Sequence, residues 1–331
     1  MTESKDSQGT PKKDLKGGLL ASGIPLEMEV YGLLASDLQV DWIEPEYDFT
    51  TLDEKGAVKQ RSVDFVASVP IGRGPLNTEA IRLYILAECK YSNPSERVWL
   101  FMQDVFPTVD ATFGDSRPAL WQDRAPRDPI DAQGIDSNIS GRIARDVTND
   151  GVPRCVRGAV LGKTNGDKLP NLATAIYQLR DCVHHLAIER FRLFTKQWSQ
   201  PAALVFVPIV VTNAQLQMLK PKASRRILDS PGGTPFDFGD MTTASERILV
   251  RCPGSLDKVD WNWQRFQAAY GTYDLSRIEQ GLPFYKRERT IEGHLRRFFT
   301  TVPSYIMVVR LDEMSKLLAE VVAWAKRLEF C

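Results

Sequence analysis

The chain has 331 residues, of which 42 are basic and 42 acidic, so its formal net charge is zero. This balance argues against a uniformly basic nucleic-acid coat protein, although it leaves room for a local basic groove. Hydrophobic residues make up 43 % of the chain and charged residues 25 %, which is the composition of a globular protein with a sizeable core.

The sequence lacks the patterns of a membrane span, a signal peptide and a disulfide framework. Its longest apolar run, residues 202–211, is too short to cross a bilayer and is interrupted by Pro208. The polar first residues lack the apolar centre of a signal peptide. Five cysteines lie far apart without CxxC spacing, which predicts reduced thiols. We therefore expect a cytoplasmic protein with no membrane contact.

The first helix signal follows a polar tail. Residues 1–18 contain almost nothing to bury, which predicts disorder. Pro25 suits the first turn of a helix, where its missing N–H is harmless. The 3.6-residue spacing of Leu26, Val30 and Leu33 then predicts a helix that ends near Asp37.

Three strand signals come next, at residues 39–49, 62–69 and 82–90. The last of them, RLYILAECK, is apolar enough to predict a central strand. The polar segment 50–60 predicts a turn. So does the segment 70–78, which contains two glycines and two prolines.

The next stretch of the chain has a different composition. Residues 107–169 are rich in Asp, Pro, Arg and Gly and have weak periodicity, which predicts a long insertion with little regular structure. The pattern then predicts a helix at 172–195 and a buried strand at 202–211, two further strands at 247–252 and 305–311, and two further helices at 290–299 and 314–328. This order favours an α/β fold in which helices pack on a sheet.

Three charged residues stand out on the predicted strands. Glu88 and Lys90 are two apart, so their side chains point to one face of the strand. If strands 62–69 and 82–90 pair as a hairpin centred near Leu76, Asp64 lies beside Glu88 across the ladder. Two adjacent carboxylates repel each other unless a cation joins them, and hard divalent cations prefer such oxygen ligands.

The order Glu27, Asp64, Glu88-Cys89-Lys90 resembles the PD-(D/E)xK nuclease superfamily, which has the restriction-endonuclease-like fold. The segment AECKYS and the opening helix PLEMEVYGLL resemble the Mrr-like branch, with Glu27 at the glutamate position. Val63 stands where the motif's name has proline. The resemblance covers residues 22–105 and extends to the helix and strand at 172–211.

The resemblance implies a role for each matched residue. Asp64 and Glu88 would bind Mg²⁺, for which Mn²⁺ can substitute, together with the backbone carbonyl of Cys89. Lys90 would orient the attacking water and stabilise charge on the phosphate. Glu27 would complete or support the metal site. The alternative is an ordinary same-face pair of Glu88 and Lys90 on a solvated strand.

With this resemblance, the fold class becomes a restriction-endonuclease-like mixed β-sheet flanked by helices, with a long insertion and an α/β C-terminal extension. The expected segments are a disordered tail at 1–18, a nuclease core in two parts at 19–106 and 170–214, the insertion at 107–169 and the extension at 215–331.

Other motifs are weaker. GAVLGKT at 158–164 is one residue short of a phosphate-binding loop, and His184 and His185 are adjacent on a helix, so they cannot share one metal face. Basic residues interleaved with aromatics suit a phosphate backbone, although a solvated face is the alternative. The candidates for nucleic-acid binding are Arg225, Arg226, Arg289, Arg296 and Arg297.

The function that the resemblance implies is a Mg²⁺-dependent endonuclease that cuts DNA, within a prokaryotic antiviral defence or repair system. Two alternatives stay open: a nuclease-fold binding or scaffolding subunit of a larger complex, and an RNA nuclease. A protein partner or a homodimer is compatible with each of these.

Overall fold

A computed structural model describes most of the predicted core. The described residues are 22–53, 55–73, 79–92, 97–103, 152–162, 170–196, 203–220, 241–252, 256–270 and 305–327, with a few isolated residues between these ranges. The predicted tail, most of the predicted insertion and most of the predicted helix at 290–299 lie outside them. None of the described helices is both long and apolar enough to cross a membrane.

Four main helices and ten strands lie in the described ranges. The helices are α1 (Ile24–Asp37), α2 (Pro170–Lys196), α3 (Leu256–Tyr270) and α4 (Met314–Arg327), with a 3-10 turn Leu311–Glu313 before α4. The strands are β1 (Trp42–Leu52), β2 (Val58–Arg73), β3 (Glu79–Lys90), β4 (Arg97–Gln103), β5 (Arg154–Gly162), β6 (Ala203–Thr212), β7 (Gln215–Leu219), β8 (Thr242–Ser245), β9 (Arg247–Arg251) and β10 (Tyr305–Arg310).

These ten strands form one mixed sheet in the order β1-β2-β3-β6-β10-β9-β5-β4-β7-β8. β1, β2 and β3 are antiparallel neighbours, whereas β6 is parallel to β3 and β10 is parallel to β6. The predicted mixed α/β architecture is confirmed. The strands predicted at 62–69, 82–90 and 202–211 lie side by side as β2, β3 and β6.

One hydrophobic core lies between the sheet and the helices α1 and α4. Leu26, Val30 and Leu34 form the buried face of α1, as the predicted 3.6-residue period requires. They pack with residues of β2 and β3 that are two apart along each strand, such as Phe65 and Ile85. This packing fixes the position of Glu27, which follows Leu26 on the helix.

A second core contains α2 and α3. Leu179 and Val183 of α2 belong to it together with Trp263 of α3 and the alternate side chains Tyr84 and Phe206 of the sheet. Because side chains alternate along a strand, the two cores take successive residues of β3 and β6. β6 is therefore apolar along nearly its whole length, which explains why it reads as a continuous hydrophobic run.

Two sequence predictions were wrong. The segment 70–78 was expected to be a turn, but β2 continues to Arg73. The strand tolerates Pro70 because the pairing of β2 with β1 ends at Ser68, so one side of the strand is already an edge there. The predicted insertion was expected to lack regular structure, yet its residues 154–162 form β5, paired with β4 along its length.

The predicted C-terminal extension contributes to the same sheet. Four strands from the described part of residues 215–331 pair into it, and β10 lies between β6 and β9. The described residues include four cysteines, all of them buried: Cys89, Cys155, Cys182 and Cys252.

Candidate active site

The hairpin of β2 and β3 brings the predicted acidic residues to neighbouring positions. Its ladder runs from Arg73↔Glu79 to Phe65↔Ala87. Asp64 and Glu88 are the next positions in this register, immediately beyond the last pair. The register is the one predicted for a hairpin centred near Leu76, and it places both carboxyl groups where β2 and β3 separate.

Asp64 is held by the backbone of the opposite strand. Its Oδ2 accepts a hydrogen bond of 2.5 Å from the N–H of Cys89. Burial raises the pKa of Asp64, while the Cys89 N–H and the nearby ammonium of Lys90 oppose that rise. In an extended strand the N–H and C=O of one residue point to the same side, so the Cys89 carbonyl also faces β2.

Glu88 is the most buried acid of this group, with 3 % of its surface exposed. Its Oε1 accepts a hydrogen bond of 2.5 Å from Nζ of Lys90, so the two side chains share a face as the spacing predicts. Its Oε2 is buried and has no hydrogen-bond partner. Burial, followed by the charge of Asp64, raises the pKa of Glu88 to about 7, against the opposing effect of Lys90.

Glu27 approaches the same place from α1. It is only partly exposed, whereas Glu29, two residues further along the helix, faces solvent. Burial raises the pKa of Glu27, and the negative charges of Asp64 and Glu46 raise it further, while Lys90 lowers it. The helix thus presents one of its two glutamates to the acidic end of the hairpin.

A fourth carboxylate, Glu46 on β1, was not predicted. Pro45 pairs with Phe65 and Tyr47 with Val63, which places Glu46 opposite Asp64 in the register. Glu46 is the only non-glycine residue with positive φ in the described part of the chain, at 49°. A sequence pattern gives no sign of this conformation, because a glutamate between proline and tyrosine reads as an ordinary strand residue.

The carboxylates form a row across three strands rather than a closed cluster. Asp64 makes a side-chain contact with Cys89, whose thiol belongs to the core beneath α1. Glu88, by strand alternation, follows Tyr84 and Leu86 toward the core beneath α2. Among the described residues, no three His, Cys, Asp or Glu side chains stand close enough to enclose a metal ion.

The chemistry of the donor groups, considered apart from their arrangement, suits a hard divalent cation. Its groups are carboxylates and a backbone carbonyl, the oxygen ligands that Mg²⁺ and Mn²⁺ prefer. The unpartnered Oε2 of Glu88 is a buried acceptor, and an acceptor without a donor is costly unless a proton or a cation satisfies it. The ammonium of Lys90 bonds the other oxygen of Glu88.

The remaining predicted candidates take other roles or lie outside the described residues. His184 contacts Asn262 and His185 contacts Arg265, so the adjacent histidines bond different partners in the core. Gly158 belongs to β5, where a Cβ would stand 2.8 Å from the Phe101 ring, which makes it a packing glycine.

Little of the predicted basic surface is described. Arg296 forms an ion pair with Asp260. The other predicted nucleic-acid contacts, Arg225, Arg226, Arg289 and Arg297, lie outside the described residues.

Family models, curated proteins and solved structures were compared with this chain, and none of them matches it. The resemblance to the PD-(D/E)xK nucleases therefore depends on the motif residues of the sequence alone.

Proposed function

We propose that this protein is a metal-dependent nuclease that hydrolyses phosphodiester bonds in DNA. The observation that carries the proposal is the register of the β2–β3 hairpin, which sets Asp64 beside Glu88 where the two strands part. A buried carboxylate oxygen without a donor and a neighbouring lysine complete the pattern. Perturbed carboxyl groups and a charge partner at one end of a sheet are typical of a functional site.

The order of the elements supports a restriction-endonuclease-like core. α1 is followed by the antiparallel strands β1, β2 and β3, and α2 then leads to β6, which pairs parallel to β3. α1 and α2 belong to different cores of the sheet. This is the order of helix and strands on which the motif residues are expected.

In this proposal, Asp64, Glu88 and the Cys89 carbonyl hold Mg²⁺, with Glu27 supporting them. When bound, the ion supplies positive charge that offsets the negative charge developing on the phosphate. Lys90 is the only described cation in contact with Glu88, and its ammonium can donate to water and to a phosphate oxygen. The Cys89 N–H keeps the Asp64 carboxylate in place.

The test is a cleavage assay with purified protein. Plasmid, single-stranded DNA and RNA are each incubated with Mg²⁺, with Mn²⁺ or with EDTA. We expect cleavage of DNA that EDTA abolishes. Cleavage of RNA alone would move the proposal to an RNA nuclease, while DNA cleavage that persists in EDTA would refute the metal site.

Two substitutions separate the proposed roles. Lys90→Ala should retain Mn²⁺ binding by calorimetry but lose about 100-fold or more in cleavage rate, because a positioned proton donor contributes about that much. Asp64→Ala should lose both, since fewer oxygen ligands hold a hard cation weakly. Lys59→Ala and Asp48→Ala are matched controls on exposed positions of β2 and β1, and both should behave as wild type.

The second candidate is a binding or scaffolding subunit on the same fold. The observation in its favour is that Lys90 already occupies one oxygen of Glu88 and that no three described acidic groups converge. This candidate replaces the nuclease if the wild-type protein binds nucleic acid yet cleaves none of the three substrates with either metal.

A further inference from the structure

An open groove of about 700 Å³ lies where two short connections of the sheet meet. β6 ends at Thr212 and β7 begins at Gln215, while β8 ends at Ser245 and β9 begins at Arg247. Leu216 pairs with Ser245, so both connections lie together. The first turn of α4 and the end of β10 close the groove on another side, through Lys316 and Arg310.

The groove is lined by hydrogen-bonding side chains. Those that matter here are Asn213, Gln215, Gln217, Arg247, Arg310 and Lys316. Glu246 is the one acidic residue among the lining groups. Arginine, lysine and side-chain amides are the groups that hydrogen-bond base edges and phosphate oxygens in protein–nucleic acid complexes.

The groove lies at the same end of the sheet as the proposed active site. Thr212 pairs with Lys90 on one side and with Arg310 on the other. Lys90 and Arg310 therefore end two parallel strands at the same level, separated by two strand spacings, or about 10 Å. A nucleic-acid strand rises about 3.4 Å per nucleotide in a duplex, so a short stretch of it spans this distance.

Each cation of the groove has a carboxylate beside it. Arg310 pairs with Asp312, Arg247 pairs with Glu320, and Nζ of Lys316 lies 3.6 Å from Glu313. The Arg310 and Lys316 side chains are 37 % and 60 % exposed, so these two pairs are screened by water and hold their partners weakly. A phosphate or a base can compete for their donors, while Arg247, only 11 % exposed, stays fixed.

We propose that this groove binds a nucleotide of the nucleic-acid strand that neighbours the phosphodiester bond to be cleaved. The inference rests on the proposed nuclease function and adds to it a specificity-determining site. Arg310 and Lys316 meet the phosphate, and the amides of Gln215 and Gln217 meet the base. This site would supply sequence preference from the C-terminal part of the chain.

The experiment measures binding separately from cleavage. Fluorescein-labelled single-stranded DNA, single-stranded RNA and duplex DNA of one sequence are titrated in EDTA and read by fluorescence anisotropy. Arg310→Gln removes a donor group, and Gln217→Trp fills the groove without a change of charge. Each should weaken binding about tenfold, the loss typical of a nucleotide contact. The thermal unfolding midpoint of each variant shows that it is folded.

Lysines of α4 provide a matched pair. Lys316→Gln should weaken binding several-fold, whereas Lys326→Gln, at an exposed position further along the helix, should change it less than twofold. Equal effects of the two lysine variants, or wild-type affinity of a folded Gln217→Trp protein, would overturn the groove assignment. No binding of any probe by the wild type would overturn it as well.

The cleavage assay distinguishes this failure from failure of the nuclease proposal. If the wild type cleaves DNA and the groove variants bind it with unchanged affinity, the groove assignment is refuted and the nuclease proposal is not. Weakened binding by the groove variants without any wild-type cleavage refutes the nuclease and leaves a nucleotide-binding groove.

Discussion

Replacing Glu88 with glutamine should remove part of the dependence of the unfolding free energy on pH. Burial and Asp64 raise the pKa of Glu88 from 4.5 to about 7. Below pH 4.5 the carboxyl is protonated in the folded and unfolded states alike and costs nothing. Between pH 4.5 and about 7 the unfolded chain ionises this carboxyl while the folded protein keeps it protonated, so stability falls across that window and levels off above it.

The size of the effect follows from the same shift. Moving a pKa from 4.5 to about 7 corresponds to about 3 kcal/mol of unfolding free energy, at about 1.4 kcal/mol for each pKa unit. Wild-type protein should lose this amount between pH 4 and pH 8 through Glu88. Glu88→Gln has nearly the same shape but no charge to bury, so its stability relative to wild type should improve by about 3 kcal/mol over that range.

Urea unfolding followed by tryptophan fluorescence at several pH values measures this difference. Glu29→Gln is the matched control, because it makes the same chemical change at an exposed position of α1. At pH 8, Mn²⁺ at about 100 times its Kd should stabilise wild type by about 2.7 kcal/mol and Glu88→Gln much less. Parallel pH profiles for wild type and Glu88→Gln would refute the account of the buried carboxylate.

Two further predictions concern strand β1 and the pair of helices α2 and α3. Glu46→Gly should stabilise the protein by about 1 kcal/mol, because a left-handed backbone costs a non-glycine residue about that much. It should also weaken Mn²⁺ binding in calorimetry. The control Glu44→Gly, in ordinary strand geometry, should destabilise the protein. Lys258→Met removes one of the two buried cations that bond Asp181, the other being Arg180, and should lower the unfolding free energy in urea by about 2 kcal/mol, the contribution of a hydrogen bond to a charged group, whereas Asp260→Asn, in an exposed ion pair, should cost less than about 1 kcal/mol. Equal costs for the last two variants would contradict the burial argument, and wild-type stability of Glu46→Gly would contradict the strain argument.

The core strands could be predicted because their patterns are long and their burial is uniform. β3 and β6 are covered on both faces, so each reads as an apolar run that few alternatives fit. The hairpin register followed from simple counting, since Asp64 and Glu88 are equally far from the loop centre. Glu88 and Lys90 share a face for the same geometric reason.

Other features depend on contacts that a local pattern does not contain. β8 has four residues and β7 five, too few to show a period. Residues 154–162 contain a glycine that reads as a turn signal, although Gly158 is required by the Phe101 ring on the neighbouring strand. The α3 helix was missed despite its amphipathic pattern, with Val259, Trp263 and Phe266 buried on one face.

The sequence predicted the candidate site incompletely for the same reason, because part of it depends on contacts between distant residues. Glu46 enters it through a backbone conformation that is visible only in three dimensions. The groove brings together Gln215, Arg247 and Arg310 from three strands distant in sequence, so no local motif could have predicted it.

The central place of β10 has a consequence for synthesis on the ribosome. β6 and β9 each take β10 as a neighbour, so the strands β1, β2, β3 and β6 cannot join the strands β9, β5, β4, β7 and β8 until residue 310 has been made. Until then, β6 presents an open edge of unpaired backbone groups along an apolar strand, which is prone to wrong pairing. The nascent chain must keep that edge covered while nearly a hundred residues beyond β6 are translated, and a factor that shields it would act before release of the finished protein.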